Sequence, residues 1–263
     1  MSLAIITITR NDLNGLRNTI ASIDEQSIRP DEHWIIDGAS TDGTADYLSS
    51  LPSIPGRRLL SERDEGIYDA MNKGVALAST DFIWFLNSGD VCAAPDVVAT
   101  VITALKHQPE LDGIYGKLWF KTPYGLRSIG RPVSARDFRY GMAAGHPALV
   151  YRRNHLIATP YSTRHRIISD WLLTRHLFEM GLNFVHLDHH LSIFDTNGIS
   201  CRRPFMIIGE QFRNETTLAG KIGVLIFSGI PTTKLWLARK TGIYDLYKRW
   251  QHRANRSALR NDH

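Results

Sequence analysis

The run Leu3–Thr9 is the feature that most limits what this chain can fold into. Its residues, Leu-Ala-Ile-Ile-Thr-Ile-Thr, are apolar or β-branched and show no alternation of apolar and polar positions. A strand with this pattern is buried on both faces, as the strands of parallel sheets are. The run therefore predicts the first strand of a parallel sheet.

Further apolar runs and helical segments alternate over the first hundred residues. Strands are predicted at 33–37, 58–61 and 81–86, and helices follow the caps near residues 11–12 and 41–44 and span 68–78 and 96–107. This alternation predicts an α/β fold, a mostly parallel sheet flanked by helices. Beyond His107 the pattern loosens, with strands expected at 113–120, 126–129, 148–151, 183–187 and 191–194, and a helix over 167–180.

The composition is that of a soluble globular protein. The chain has 263 residues, of which 43% are hydrophobic and 22% charged. Cys92 and Cys201 are far apart and are expected to be free thiols. We see no signal peptide at the N-terminus, and the apolar stretch Ile222–Ile230 is too short for a membrane span. The expectation is a cytoplasmic protein.

The net charge of +5 is concentrated near the C-terminus. Lys234–Arg260 holds eight Lys or Arg and one Asp, interleaved with Trp, Tyr and Leu. We therefore predict an α/β domain over 1–203 and a helical, basic extension over 204–263. A basic amphipathic helix is typical of a membrane-surface element, here on the cytoplasmic face of the inner membrane. The alternative is a helix packed on the domain. Nucleic-acid binding is disfavoured, because the chain has no recognised reading motif.

Three polar turns directly follow predicted strands. They are Thr9-Arg10-Asn11, Asp37-Gly38-Ala39-Ser40 and Asn87-Ser88-Gly89-Asp90. Ligands of an open parallel sheet bind beyond the carboxyl ends of the strands, where these turns lie. Asp, Asn, Ser and Gly also form ordinary turns, so any one cluster alone has a purely structural explanation.

The chain lacks both common phosphate-binding loops, the Gly-x-Gly-x-x-Gly turn and the P-loop. A bound nucleotide would then need another group to neutralise its phosphates. A divalent cation such as Mg²⁺ or Mn²⁺, held by an acidic turn, is the expected substitute, and Asp90 is the best-placed ligand.

Four segments together resemble the family 2 glycosyltransferases, which are inverting enzymes with the GT-A (Rossmann-like) fold. The resemblance is strongest to bacterial enzymes that build colanic acid, exopolysaccharide and O-antigen. Fainter matches continue to about residue 200, through Gly145-His146-Pro147-Ala148, Ile168-Ser169-Asp170-Trp171 and Phe194–Ser200. The four segments are Ile5–Asn11, Ile36–Thr44, Ser61–Gly74 and Phe85–Asp90.

The resemblance implies a role for each matching position. Asp90 matches the metal-binding aspartate, with Mn²⁺ or Mg²⁺ as cofactor, and Asp170 matches the base that deprotonates the acceptor. His146 lies on the acceptor side, although a structural role is the stronger reading, and Asp170 could instead be a charge favoured by a helix N-terminus. The positions implied in nucleotide binding are Thr9, Asn11, Asp37, Asp64, Asn72, Ser88 and Gly89.

The implied reaction is hexosyl transfer from a UDP- or GDP-sugar to a lipid-linked oligosaccharide or glycan acceptor. Two positions depart from the family pattern: the acidic turn has a single carboxylate, and Gly38 replaces a second acid beside Asp37. An inactive nucleotide-sugar-binding module therefore stays as an alternative. A nucleotidyltransferase is disfavoured because the Gly-rich loop is missing.

Two further sets of residues are assigned to structure. His186, His189 and His190 point to different faces of a predicted strand, so we expect no zinc site there. Tyr68 and Met71 are predicted to belong to the core.

Overall fold

The structure is a computed structural model, and it describes residues 1–122, 125–196, 198–229 and 233. The chain divides into two compact units, Met1–Arg202 and Arg203–His263. The basic segment Lys234–Arg260, with its predicted amphipathic helix, lies outside the described residues.

The first unit is built around one sheet, whose strands run in the order β3-β2-β1-β4-β8-β6-β9-β5, with β7 paired to β6. The strands are β1 Leu3–Thr9, β2 Glu32–Asp37, β3 Arg57–Ser61, β4 Phe82–Phe85, β5 Val91–Cys92, β6 Gly113–Thr122, β7 Gly125–Ile129, β8 Leu149–Arg152 and β9 Phe184–Phe194.

Helices follow most of these strands. In the first unit they are α1 Leu13–Asp24, α2 Thr44–Ser50, α3 Ile67–Leu77, α4 Val97–His107, α5 Arg153–Ala158, α6 Ser169–Glu179 and α7 Ile199–Arg202, with short 3-10 turns at Ala135–Phe138 and His146–Ala148. The second unit contains α8 Pro204–Asn214, α9 Leu218–Val224 and a π-helical turn at Leu225–Gly229.

The predicted α/β architecture is confirmed. Strands β1 to β4 pair only in parallel with one another, as their continuous apolar runs indicate. The later half of the sheet is mixed, because β8 is antiparallel to both β4 and β6. The two late strands expected at 183–187 and 191–194 are one strand, β9, whose register against β6 shifts near Lys117. Helix α5 and the two-residue strand β5 were not predicted.

Neighbouring residues of β1 face opposite sides of the sheet, and each side is covered by helices. Ile5 packs in a core with α1 and α4, through Ile23 and Val98. On the other side Gly74 of α3 lies so close to Ile6 that a Cβ at position 74 would come within 2.6 Å of its side chain. Glycine at this position lets α3 cross the strands closely, which fixes the start of α3 near their carboxyl ends.

The junction between the parallel and mixed halves is fixed by Trp84 of β4. Its ring is fully buried, and its Nε1 donates a hydrogen bond of 2.8 Å to the carbonyl of Pro147. A buried indole N–H needs such a partner, so this bond ties the turn that carries His146 to the central strands.

The second unit presents apolar side chains to solvent. Leu218, Ile222 and Ile226 recur at helical spacing and are all exposed, Leu218 by 75%. Thr217 caps α9 by accepting a hydrogen bond from the backbone N–H of Gly220. Among the residues that the structure describes, no helix is both long enough and apolar enough to span a membrane.

Candidate active site

The turns after β1 and β2 are held to each other by their own polar groups. Asn11 has a left-handed backbone, with φ of 53°. Its N–H donates to Ser40 Oγ over 2.7 Å, and its Oδ1 accepts from the N–H of Thr41 at the same distance. Asparagine tolerates this backbone conformation better than most residues, so it suits a turn that needs both bonds.

Asp37 ends β2 and is fully buried. Its Oδ1 accepts from Ser40 Oγ over 2.5 Å, and its Oδ2 accepts from Ser61 Oγ over 2.6 Å. The carboxylate therefore joins the ends of β2 and β3. Its predicted contact with a nucleotide would be made from within this network.

Thr9, at the end of β1, has a hydroxyl with different surroundings. Within the described part of the chain, Thr9 Oγ1 is buried and has no hydrogen-bond partner. Buried hydroxyls are normally paired, and an exception often marks a ligand position. This orphaned donor fits the predicted contact of Thr9 with a nucleotide.

Asp64 lies against Gly38, in the space that a side chain there would occupy. A Cβ at position 38 would come within 2.2 Å of Asp64 Oδ2. Asp64 Oδ1 accepts from the N–H of Gly66 over 3.0 Å and is 3.8 Å from Arg10 Nη1. The family pattern has a second acid beside Asp37, where this chain has Gly38. The carboxylate of Asp64, from the loop after β3, occupies the space that a side chain at position 38 would fill.

Both polar atoms of the Asn72 side-chain amide form hydrogen bonds with the backbone of one residue. Its Nδ2 donates to the carbonyl of Tyr161 over 2.8 Å, and its Oδ1 accepts from the N–H of Tyr161 over 2.9 Å. Asn72 therefore attaches α3 to the loop that carries Tyr161. Its nucleotide-binding role stays a prediction.

The turn after β4 is shaped by side chains of α1 and its cap. Ser88 Oγ donates to Asp12 Oδ2 over 2.7 Å, and the N–H of Gly89 donates to Thr19 Oγ1 over 3.0 Å. Gly89 has φ of 95°, a left-handed conformation that glycine adopts without strain. These contacts fix the backbone that presents Asp90.

Asp90 meets a second carboxylate, Asp195, at the end of β9. The N–H of Asp195 donates to Asp90 Oδ1 over 2.9 Å, and Asp195 Oδ2 would lie 2.7 Å from a Cβ at Gly89. Burial raises the pKa of Asp90 to about 8, and the charge of Asp195 contributes in the same direction. A buried carboxylate, Asp90, beside a partly buried one, Asp195, suits a hard divalent cation, which neutralises both.

Asp170 lies in the first turn of α6 and accepts two hydrogen bonds on one oxygen. Tyr68 OH donates to Asp170 Oδ1 over 2.8 Å, and the N–H of Trp171 donates to the same atom over 2.9 Å. Tyr68 is in the first turn of α3, directly after β3 and its loop. Asp170 is thereby brought to the edge of the sheet where the parallel strands end.

His146 is buried beneath this edge. Its Nε2 lies 3.0 Å from Tyr161 OH, and its ring stacks on Phe85 at 5.2 Å between centroids. Burial lowers the pKa of His146, and the charge of Asp170 only partly offsets this effect. A buried, neutral histidine with a protein partner fits the structural reading, and its acceptor-side role stays a prediction.

Two residues of this site escaped the sequence analysis. Tyr68 is buried as predicted, but it also binds Asp170 across 102 positions of chain. Asp195 belongs to the matched segment Phe194–Ser200, yet its proximity to Asp90 depends on the pairing of β5 with β9. The acidic residue in that segment was the available signal for Asp195.

The fold is similar to that of solved GT-A-like glycosyltransferases. TarS of S. aureus, solved with UDP-GlcNAc, superposes with a TM-score of 0.63 and 16% identity, over 86% of this chain and 70% of that one. A mannosyltransferase from Pyrobaculum calidifontis, solved with GDP-Man and Mn²⁺, gives a TM-score of 0.58 and 16% identity, over 85% of this chain and 67% of that one. At this identity the likeness shows the GT-A-like fold.

The family model described as glycosyl transferase family 2 matches residues 4–180, so the chain belongs to this family. An uncharacterized glycosyltransferase of Mycobacterium tuberculosis is 44% identical over 144 residues, which cover 53% of this chain and 54% of that protein. A PGL/p-HBAD biosynthesis glycosyltransferase of Mycobacterium bovis is 33% identical over 177 residues, 64% of this chain and 66% of that protein. The match thus spans about half to two thirds of the length of these relatives.

Proposed function

We propose that this protein is an inverting, metal-dependent hexosyltransferase that uses a UDP- or GDP-sugar donor. The observation that carries the proposal is the contact of Asp90 with Asp195 beside the turn after β4. Asp170, which Tyr68 holds at the start of α3, supplies a separate carboxylate for the role of the base. The family supports the reaction type. Neighbours in fold bind UDP-GlcNAc or GDP-Man, which supports a nucleotide-sugar donor.

The proposed reaction is one displacement at the anomeric carbon of the donor sugar. Asp170 takes the proton of the acceptor hydroxyl as its oxygen forms the new bond to that carbon, and the bond from the carbon to the diphosphate breaks. The nucleoside diphosphate leaves with the electron pair. Attack from the face opposite the leaving group inverts the configuration.

Asp90 and Asp195 would hold the divalent cation, Mn²⁺ or Mg²⁺. When bound, the cation neutralises the negative charge that develops on the departing diphosphate. Asp64 and the hydroxyl of Thr9 would contact the nucleotide at the neighbouring turns. The backbone of Ser88 and Gly89 positions Asp90 for its ligand.

For the acceptor we propose a lipid-linked oligosaccharide or glycan of bacterial surface polysaccharide synthesis. We assign catalysis to 1–203 and membrane-surface binding to the extension 204–263. The exposed apolar residues of α9 and the basic residues that follow in sequence support this assignment, because anionic membranes attract this combination. Sedimentation of the full chain with anionic vesicles, but not with neutral vesicles, is the expected result.

Calorimetric titration with UDP and with GDP, each with and without manganese, tests the donor site. We expect one nucleotide to bind tightly and only with manganese present, which would identify the donor class. Absence of binding by both nucleotides would contradict the proposed enzyme and favour the inactive module. Binding that is equal with and without manganese would contradict the metal role of Asp90.

A further inference from the structure

The two oxygens of the Asp170 carboxylate have different surroundings. Oδ1 accepts both of the hydrogen bonds made to this carboxylate, from Tyr68 OH and from the N–H of Trp171. Within the part of the chain that the structure describes, Oδ2 accepts none. The side chain is also only partly buried, so a substrate can reach it. The carboxylate is therefore anchored at one atom and open at the other.

Tyr68 is itself held firmly. Its ring is 4% exposed and stacks on the ring of Tyr161, with centroids 5.7 Å apart and an interplanar angle of 17°. Tyr161 is fixed through both its backbone N–H and its carbonyl by the amide of Asn72. Because Tyr68 and Asn72 both belong to α3, the helix fixes the phenol directly and also through Tyr161.

Four buried side chains whose pKa is affected by the charge of Asp170 are neutral at neutral pH. Burial raises the pKa of Tyr68 well above its usual value, and the Asp170 charge adds to the effect. Burial also raises the pKa of Tyr161 and Tyr151, and it lowers the pKa of His146. The Tyr68 hydroxyl thus keeps its proton and acts as a donor to the carboxylate.

We propose that Tyr68 is a positioning residue for the transfer reaction: by holding Asp170 Oδ1, it makes Oδ2 the atom that takes the acceptor's proton. This inference rests on the proposed function, in which Asp170 is the base. A base works only within hydrogen-bond reach of the proton it takes, so a fixed carboxylate orientation accelerates the step.

The test compares Tyr68→Phe with Tyr115→Phe as a matched control. Tyr115 is equally buried, at 4% exposure, but its hydroxyl accepts from the N–H of Val133 instead of contacting a carboxylate. The full-length proteins are assayed for release of UDP from UDP-GlcNAc and of GDP from GDP-mannose, with manganese present and water as acceptor. Turnover is followed across the acidic and neutral pH range.

For Tyr68→Phe we expect kcat to fall by about tenfold to 100-fold with KM unchanged. Tyr115→Phe should match the parent. A parent-like kcat in Tyr68→Phe would overturn the inference, and so would an equal change in both variants.

The variant Asp170→Asn distinguishes a failure of this inference from a failure of the proposed function on which it rests. If Asp170→Asn releases nucleotide as fast as the parent, the base itself is wrongly assigned. If Asp170→Asn is inactive and Tyr68→Phe is parent-like, only the role of Tyr68 is wrong.

A second readout needs no turnover. In carbon NMR, the carboxyl resonance that vanishes in Asp170→Asn should change its chemical shift in Tyr68→Phe, which removes a hydrogen bond to this carboxylate, and keep the parent chemical shift in Tyr115→Phe. An unchanged chemical shift in Tyr68→Phe overturns the inference.

Discussion

Asp90 and Asp195 are separated by 105 positions, and yet the N–H of Asp195 donates to the carboxylate of Asp90 over 2.9 Å. The short pairing of β5 with β9 brings the two together, since Val91 and Ile193 are partners in register. The single carboxylate of the turn after β4, Asp90, therefore lies beside a second carboxylate, Asp195, from the C-terminal end of the first unit.

Removing either of these carboxylates should weaken metal-dependent nucleotide binding. We expect Asp90→Asn to abolish the gain in nucleotide affinity that manganese gives, and Asp195→Asn to reduce it, because each removes an anionic oxygen that a hard cation prefers. Calorimetry with UDP and GDP measures the effect. Asp188→Asn is the control, since Asp188 is an exposed residue of the same strand paired with Lys117. Full manganese dependence in Asp90→Asn would contradict its role as a ligand.

Replacing the proposed base should separate chemistry from binding. Asp170→Asn keeps the shape of the side chain but cannot accept the acceptor's proton, so we expect transfer to fall by about 100-fold or more. The affinity for nucleotide should stay at the parent value. Rates of sugar transfer and calorimetric affinities measured on the same preparation provide the comparison. Normal transfer would mean that Asp170 only supplies a favourable charge to the start of α6.

The space above Gly38 should prove essential for the position of Asp64. In Gly38→Ala the new methyl would collide with Asp64 Oδ2, and the contact between Asp64 and Arg10 would open. We expect nucleotide affinity to fall by about tenfold, a loss of about 1.4 kcal/mol. Gly141→Ala is the control, since a Cβ there has no atom within 4 Å. Equal affinities in the two variants would show that Asp64 makes no contribution to binding.

His33 should make the free energy of unfolding depend on pH in the acidic range. Burial lowers its pKa from 6.5 to about 3, and the charge of Arg57 adds to the effect. Between these values the unfolded chain binds a proton that the folded chain excludes. Stability should therefore be complete above pH 6.5 and fall as the pH drops toward 3, by up to about 1.4 kcal/mol per pH unit.

The contribution of His33 is isolated by His33→Gln, which cannot be protonated in this range. Denaturant unfolding at several pH values should give a flatter curve for the variant than for the parent. Parallel curves would show that His33 does not titrate differently in the two states.

Asn72 should stabilise the fold independently of any ligand. Asn72→Ala leaves both the N–H and the carbonyl of Tyr161 without their partner, which costs about 1–3 kcal/mol of unfolding free energy. Thermal unfolding without nucleotide measures the change. Asn154→Ala, an exposed position on α5, should unfold like the parent. If both variants have parent stability, the bond between Asn72 and Tyr161 contributes nothing net.

Local patterns in the sequence were enough to predict the parallel half of the sheet, β1 to β4. The strands of the parallel set carry continuous apolar runs, and their turns carry the polar residues that meet at one edge. Buried parallel strands and helix caps are determined by residues that are close in sequence, so a short stretch of sequence is enough to predict them. Asn11, Asp37 and Ser88 were found in this way.

The remaining features depend on contacts between distant segments. Tyr68 has the hydrophobicity and spacing of a core residue, and its bond to Asp170 exists only because α3 and α6 meet. Strand β5 has two residues and no pattern of its own, so only its partner β9 defines it. Periodicity cannot predict such pairings, because their partners lie about 100 residues away in the chain.

The pairing of β5 with β9 also determines when the contact between Asp90 and Asp195 can form during synthesis of the chain. A ribosome releases the chain from its N-terminus, so the turns that contain Thr9, Asp37 and Asp90 emerge long before β9 does. Until then the nascent chain has one carboxylate where the finished unit has two, and before α6 emerges it also lacks Asp170. On the proposed mechanism, an unfinished chain cannot transfer sugar, and activity begins only when the last strand takes its place.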